Sequence, residues 1–291
     1  FSYLYDTSLD RLIRPFRSSD EAGLQAVRLY IPGIAQNNLT SDMPYSTKNW
    51  QEAKLLYPDG NVHRVRVRHR GDNPINWFFE KKSWRVKTRK KHILDDVRVF
   101  NLITPQRHDI LSEYLGYWLG DLLGIDAPQA TLVETWINDT PNGVHLRVDH
   151  LDENFLRNSG YMPVNMYKGE QYNAERQFKV DNDLFNNPYL WQQLSINNLA
   201  AGRGASDLGD FFNVIRKAET DRAEFDRLRL WAPFEKWVAF ASYQTLAQNW
   251  GNNNTHNMRL IFDNWRGSVY PVVHDPLVSV EERNNAMLES W

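Results

Sequence analysis

The chain has 291 residues, of which 42% are hydrophobic, 24% charged and 13% aromatic, and this composition excludes an intrinsically disordered or collagen-like protein. The net charge of −2 excludes binding of nucleic acid or membranes by overall charge, and the absence of cysteine excludes disulfides, thiolate metal sites and a cysteine nucleophile. No apolar run approaches the ~18 residues of a membrane-spanning helix.

The first third of the chain is predicted to be mainly β-structure. Alternating polar and apolar residues predict strands at residues 27–31, 53–57, 62–69 and 83–88. Pro58-Asp59-Gly60-Asn61 separates the second strand from the third, and Pro and Gly there favour the backbone angles of a hairpin turn. Another hairpin is predicted at residues 131–148, turning at Asn142-Gly143.

Positive charge is concentrated in this region. The stretch from Arg64 to Lys91 holds eleven Lys or Arg residues and only two acids, Asp72 and Glu80. Because side chains alternate along a strand, these cations gather on one face of the predicted sheet. Two interpretations remain open, an ordinary solvated face and a phosphate-binding face beside the polar turn at residues 70–74.

One amphipathic helix is predicted before the second hairpin. Its apolar residues form a single stripe at helical spacing, at positions 110, 111, 114, 115, 118, 119 and 122. After residue 151 the chain is predicted to be mostly helical, with one hairpin at residues 258–273 that leads to Asp275. We therefore predict an α+β protein of two lobes, a β-rich N-terminal lobe at residues 1–150 and a mainly helical C-terminal lobe at residues 151–291.

The sequence lacks the motifs of several common enzyme classes, namely the P-loop, Gly-x-Gly-x-x-Gly, His-Glu-x-x-His and Gly-x-Ser-x-Gly. What remains is an ordered set of polar residues: a lysine near a strand (Lys82 or Lys87), Glu113 on the helix, and much later Asn257 and Asp275. Kinases use this order of parts, because a lysine held by a glutamate neutralises phosphates while an amide oxygen and a carboxylate bind Mg²⁺.

Five short segments resemble the CotH kinase family, which is named for a spore coat protein. They lie in the order typical of that family, at residues 68–73, 81–87, 148–156, 166–168 and 249–257, and the resemblance extends from about Val27 to Pro276. It implies an atypical protein-kinase-like fold and phosphorylation of Ser or Thr on surface, coat or secreted proteins, with ATP and Mg²⁺ as cofactors. It also implies an extracytoplasmic location, at a cell surface or in a spore coat.

The resemblance also implies roles for residues of the first half. Arg70-Gly71-Asp72-Asn73 corresponds to a turn that faces phosphate groups, so Arg70, Gly71 and Asn73 are expected to bind nucleotide. Lys82 or Lys87 corresponds to the lysine that contacts ATP, and Glu113 to its helix partner. Period-two alternation places Lys82 and Lys87 on opposite faces of a strand, so the choice between them stays open.

Further implied roles fall in the second half. Lys168 corresponds to a nucleotide-binding lysine, and Asn257 and Asp275 to the Mg²⁺ ligands. The catalytic base of the family is an aspartate, whereas this chain has Asn252 at the matching position. An amide cannot accept the proton of a substrate hydroxyl, although it can orient that hydroxyl. His274 also stands where the family has a tryptophan.

Asn252 leaves three interpretations open: a slow kinase, a pseudokinase that binds nucleotide or acts as a scaffold, and a kinase whose aspartate has been replaced. A binding module without phosphotransfer is an alternative of another class, because eleven tryptophans and Asn-rich loops suit stacking on carbohydrate. We expect a CotH-like Ser/Thr protein kinase whose phosphotransfer is impaired.

Overall fold

The structure is a computed structural model that describes residues 23–71, 73–104, 111–169, 185–195, 206–248, 257–276 and 278. The chain divides into two compact units, Phe1–Ile110 with Gln129–His150, and Leu111–Pro128 with Leu151–Trp291. Both helices and strands are present, so the predicted α+β class is confirmed. Among the described helices, none combines the length and the apolar character that crossing a bilayer requires.

The first unit is a closed β-barrel. Its strands in chain order are β1 (Gln25–Tyr30), β2 (Gln51–Leu56), β3 (Val62–His69), β4 (Trp84–Thr88), β5 (Val99–Ile103), β6 (Ala130–Ile137) and β7 (Thr140–Asp149), and the helix α1 (Gly33–Thr40) follows β1. Neighbours pair in the order β1-β2-β3-β4-β5-β7-β6, and a parallel pairing of β6 with β1 closes the barrel. The prediction of a β-rich lobe did not include this closure, because no local turn signal encodes the pairing of Gln25 with Val133.

The first predicted hairpin turn is confirmed, and the second lies elsewhere. β2 and β3 pair on either side of Gly60, whose φ is +79°. The turn between β6 and β7 is at Asn138-Asp139, before the predicted Asn142-Gly143, and both of its residues have positive φ. Asn and Asp tolerate this conformation in two-residue hairpin loops. The side-chain oxygen of Asn138 also accepts a hydrogen bond from the Ile31 backbone N–H at 2.7 Å, which ties the turn to β1.

Alternation along β3 separates the barrel core from its surface. Val65 and Val67 are buried in the main apolar cluster of the unit, whereas Arg64 and Arg66, which alternate with them, are exposed. On β4, Lys87 lies directly across from Arg66 and is partly exposed. The predicted basic face therefore exists, as part of the outer face of the barrel.

The second unit combines helices with a four-stranded antiparallel sheet. The helices are α2 (Ser112–Leu122), α3 (Glu153–Asn158), α4 (Ser206–Ala218), α5 (Arg222–Trp231) and α6 (Phe234–Ala247), and the strands are β8 (Asn165–Gly169), β9 (Trp191–Ser195), β10 (Arg259–Asp263) and β11 (Ser268–Pro271). The sheet order is β11-β10-β8-β9. The hairpin β10-β11 was predicted, but β8 and β9 were not, because short buried strands carry too little periodicity to be told from helix.

Helix α2 is confirmed, but its buried face is not the predicted apolar stripe. Gly116 and Gly120 lie on the buried face, whereas Leu115 and Trp118 are 42% and 52% exposed. The two glycines bring the helix backbone directly against residues 273–276, with no room for larger side chains. This packing explains why the helix belongs to the second unit, although the sequence placed it in the N-terminal lobe.

Candidate functional site

The turn that follows β3 is joined to the start of β4. The Arg70 backbone N–H donates a hydrogen bond to the Ser83 carbonyl oxygen at 2.9 Å. Gly71 has a φ of +83°, and a Cβ at this position would lie 2.5 Å from the side-chain nitrogen of Asn76, so glycine is required here. The side-chain oxygen of Asn73 accepts a hydrogen bond from the backbone N–H two residues later, at 3.1 Å. Asn73 therefore holds the shape of the turn.

Lys82 lies at the same end of β4 as this turn. Its ammonium group donates to the Phe79 carbonyl oxygen at 2.6 Å. Burial lowers the pKa of Lys82, and the carboxylate of Glu80 acts in the opposite direction. The neighbouring Lys81 reaches the other way and donates to the Val144 carbonyl oxygen on β7 at 2.7 Å.

Lys87 lies at the opposite end of β4. Its ammonium group is 5.6 Å from the centre of the Trp50 ring, and the residue pairs with Arg66 across the sheet. At about 3.3 Å per residue, Lys82 and Lys87 are roughly 16 Å apart along the chain. The structure therefore brings Lys82, and not Lys87, to the turn at residues 70–73.

Glu113 lies in the first turn of α2, where a carboxylate stabilises a helix through its dipole. Its side chain is partly buried within the second unit. Both lysines implied as its partner belong to the first unit, so this pairing remains a prediction.

Asn257 and Asp275 lie side by side in the second unit. Asn257 precedes β10 and Asp275 follows β11, so the hairpin brings together residues that are distant in sequence. The side-chain nitrogen of Asn257 donates a hydrogen bond to a carboxylate oxygen of Asp275 at 3.3 Å. The backbone N–H of Asp275 donates to the hydroxyl oxygen of Tyr117 on α2, also at 3.3 Å. Helix and hairpin together thus position the carboxylate.

The backbone of both residues is strained. Asn257 has a φ of +62° and Asp275 a φ of +49°, in the left-handed region. This conformation costs roughly 1–2 kcal/mol for a residue with a side chain, although Asn and Asp adopt it more readily than most. Such strain is concentrated at functional sites, where the surrounding structure maintains it.

One cation lies next to this pair, and the sequence prediction missed it. Arg259, the first residue of β10, is 3% exposed and donates to the Met258 carbonyl oxygen at 2.9 Å. Burial lowers the pKa of Arg259 to about 9, against the charge of Asp275, which raises it. Lys168 on β8 lies directly across the sheet from Arg259. The signal for Arg259 in the sequence is a charged residue directly before the apolar run at residues 260–262.

Asn257 and Asp275 have the donor atoms that suit Mg²⁺. Mg²⁺ takes oxygen ligands and is usually held by one or two protein groups, with waters and substrate phosphates in the other positions. In the part of the chain that the structure describes, no cluster of three or more His, Cys, Asp or Glu side chains is arranged to hold a metal, so the amide and carboxylate oxygens of this pair are the candidates. Asn252 and His256 lie outside the described residues.

Five of the nine described tryptophans do not form a shared surface for stacking on carbohydrate. Trp77, Trp84 and Trp191 are buried in the cores of their units. Trp118 and Trp265 are more than half exposed, but they lie on separate elements, one on α2 and one in the turn between β10 and β11.

Comparison with known proteins agrees with the resemblance. No curated protein matches the chain. A family model described as "CotH kinase protein" matches residues 67–275, which is more than half of the chain. The matched range contains Lys82, Glu113, Lys168, Asn257 and Asp275, and it begins within β3. This chain belongs to the CotH kinase family.

Proposed function

We propose that this protein binds ATP together with Mg²⁺ in the manner of an atypical protein kinase, and that it transfers phosphate to Ser or Thr slowly or not at all. The observation that carries the proposal is the Asn257–Asp275 pair. An amide and a carboxylate from the two ends of one hairpin meet at 3.3 Å, each in left-handed backbone, beside the hydroxyl of Tyr117. Membership of the CotH kinase family supports the same chemistry.

We assign the nucleotide lysine to Lys82. The assignment rests on its position beside the turn at residues 70–73, where the close approach of Asn76 requires glycine at position 71, and on the roughly 16 Å along the chain that separate Lys87 from Lys82. A lysine ammonium neutralises negative charge on phosphate oxygens. Glu113 has the role of holding this lysine extended, as the family resemblance implies.

The residues of the second unit have the metal-binding role. Asn257 and Asp275 would hold Mg²⁺ through their oxygens, which requires the Asn257 amide to turn its oxygen toward the site. When bound, Mg²⁺ neutralises the charge that develops on the phosphates during transfer. Arg259 keeps a positive charge beside Asp275, and Lys168 across the sheet supplies a second cation for a nucleotide phosphate.

Position 252 limits the rate of transfer in this proposal. An asparagine side chain can orient the attacking hydroxyl but cannot take its proton. Loss of a general base commonly costs ~10²–10⁴-fold in rate, whereas positioning and electrostatics supply most of the catalysis of phosphoryl transfer. Nucleotide binding is therefore expected to be retained while turnover is low.

The substrate and the wider architecture follow from the family in this proposal. The β-rich first unit corresponds to the N-terminal lobe of a kinase-like fold. The second unit, which includes the helix α2, corresponds to the C-terminal lobe. The acceptors are Ser or Thr residues of surface, coat or secreted proteins, and the protein acts in an extracytoplasmic or spore-coat location.

A thermal-shift experiment with ATP tests nucleotide binding. Ligand at about 100 times its Kd stabilises the folded state by about 2.7 kcal/mol, so we expect a rise in melting temperature when ATP and Mg²⁺ are added together. A much smaller rise is expected when EDTA replaces Mg²⁺. No rise with or without Mg²⁺ would contradict the proposed nucleotide site.

A further inference from the structure

A basic pocket on the barrel is separate from the residues assigned to ATP. It has a volume of about 290 Å³ and lies on the outer face of the first unit, around β3, β4 and the segments next to them. Five cationic side chains and one carboxylate line it, namely Arg66, Lys87, Arg89, Lys90, Arg98 and Glu52. The lining belongs entirely to the first unit.

Like charges face one another across this pocket. Arg66 on β3 and Lys87 on β4 are directly opposite residues in the sheet, and like charges in this arrangement repel each other. Within the described residues, no carboxylate forms an ion pair with Arg66, Arg89, Lys90 or Arg98. Glu52 is the register partner of Arg66 on its other side, at the edge of this cationic row.

Arg98 is held in place as part of the wall. The backbone N–H and the hydroxyl of Thr88 both donate to the Arg98 carbonyl oxygen, at 2.9 and 3.2 Å. Its side-chain Nε is buried and, among the described residues, has no hydrogen-bond partner. A buried donor without a partner is destabilising, so an acceptor that enters this pocket would relieve that cost.

The pocket suits a single phosphate group rather than a nucleotide. None of its lining side chains is aromatic, and Val65 is the one apolar residue among them, so there is no surface on which a purine base would stack. Its volume equals that of about ten water molecules at ~30 Å³ each, which leaves room for one phosphorylated side chain together with several waters. The negative charge of Glu52 would repel a continuous polyanion. Its carboxylate oxygens can, however, accept hydrogen bonds from the backbone N–H groups of a peptide.

We infer that this pocket binds a phosphoserine or phosphothreonine side chain on a protein segment. The anion site rests on the geometry of the first unit, and the choice of a phosphorylated protein rests on the proposed kinase function. Arg66, Arg89 and Arg98 would donate charge-assisted hydrogen bonds to the phosphate oxygens, with the Lys87 ammonium as a further cation. The protein would thus recognise a segment that already carries phosphate, roughly 16 Å along β4 from Lys82.

Fluorescence anisotropy with a labelled Ser-rich peptide, with and without one phosphoserine, tests this inference. We expect the phosphorylated peptide to bind the whole chain at least roughly tenfold more tightly than the unphosphorylated one, and Arg66→Ala to remove most of this difference. Arg64→Ala is the matched control, because Arg64 is an exposed arginine on the same face of β3 that does not line the pocket. Melting temperatures of both variants verify that they fold.

Several outcomes would overturn the inference. Equal binding of the two peptides would do so, as would an equal loss in Arg64→Ala, which would indicate attraction by overall charge. If inorganic phosphate displaced the phosphorylated peptide at a concentration equal to that of the peptide, the pocket would be a site for free phosphate and not for a phosphorylated protein. Loss of ATP binding in Arg66→Ala would make the pocket part of the nucleotide site. If ATP does not bind at all while phosphopeptide binding still depends on Arg66, the proposed function fails and this inference survives.

Discussion

Gly116 of α2 and Pro276 are in direct contact: a Cβ on Gly116 would lie 2.5 Å from the Cβ of Pro276. One turn later, a Cβ on Gly120 would lie 2.6 Å from Cγ2 of Val273. Real Cβ atoms do not approach other carbon atoms this closely, so both positions require glycine. The backbone of the helix therefore packs directly against side chains of the segment that carries Asp275. The position of the Asp275 carboxylate depends on the absence of a side chain at both glycines.

Gly116→Ala is expected to destabilise the protein by roughly 1–3 kcal/mol, because the added methyl group overpacks a filled contact. Gly209→Ala is the matched control: Gly209 lies in the helix α4, and a Cβ there would meet nothing within 4 Å. In that variant the higher helix propensity of alanine should add about 0.5–1 kcal/mol. Urea unfolding measures both free energies, and equal stability of the two variants would show that α2 is not held against residues 273–276.

Lys82→Ala is expected to weaken ATP binding by at least roughly tenfold, because an ammonium–phosphate hydrogen bond contributes about 1.5–3 kcal/mol. Lys87→Ala should change the affinity for ATP by less than about twofold, since Lys87 lies in the basic pocket. Titration calorimetry with ATP and Mg²⁺ compares the two. A larger loss of ATP affinity in Lys87→Ala than in Lys82→Ala would identify Lys87 as the lysine that binds the nucleotide.

Acid should destabilise the barrel through two buried histidines. Burial lowers the pKa of His69 and of His145 from 6.5 to about 4, with the charges of Lys82 and Lys81 as secondary causes. The unfolded chain therefore takes up protons between pH 6.5 and pH 4 that the folded chain does not, so stability falls as the pH falls through this window. Each histidine accounts for about 2 kcal/mol of lost stability at pH 5.

His69→Phe tests this acid sensitivity. His69 is fully buried, its ring centre is 4.5 Å from that of Trp84, and its two ring nitrogens have no hydrogen-bond partner among the described residues. Phenylalanine therefore removes no hydrogen bond seen among these residues, and it should reduce the difference in unfolding free energy between pH 7 and pH 5. The exposed His92, changed to Gln, is the control. An unchanged pH dependence in His69→Phe would show that this imidazole does not resist protonation in the folded state.

Asn252→Asp is expected to raise phosphotransfer to a Ser-rich protein by up to ~10²-fold, because a carboxylate in reach of the attacking hydroxyl supplies a general base. The control is Asn254→Asp, which adds the same charge two residues away. Radiolabelled ATP measures the transfer. Strong transfer by the parent chain would show that no aspartate is needed at position 252. No transfer by either the parent chain or Asn252→Asp would identify a pseudokinase.

Local signals in the sequence predicted the features that depend on neighbouring residues. The turn at Gly60 and the alternation of Arg64, Val65 and Arg66 needed only chain geometry, and both are present. Barrel closure was not predictable in this way, because Gln25 meets Val133 through a pairing that neither segment encodes alone.

The buried face of α2 shows why hydrophobic periodicity was misleading. The apolar residues Leu115 and Trp118 predicted the buried side of the helix. The side that packs against residues 273–276 instead carries Gly116 and Gly120. Close backbone packing selects for small residues, which contribute little to an apolar pattern. Arg259 was missed for a related reason, since its burial beside Asp275 arises from the tertiary structure.

The most direct test of nucleotide binding at the Asn257–Asp275 pair is the affinity for ATP with and without Mg²⁺, measured by titration calorimetry on the parent chain and on Asp275→Ala. Asp121→Asn is the control, because Asp121 is an exposed acid on α2. We predict Mg²⁺-dependent binding by the parent chain and by Asp121→Asn, and none by Asp275→Ala. Unchanged Mg²⁺-dependent affinity in Asp275→Ala would contradict the metal-binding role of this residue.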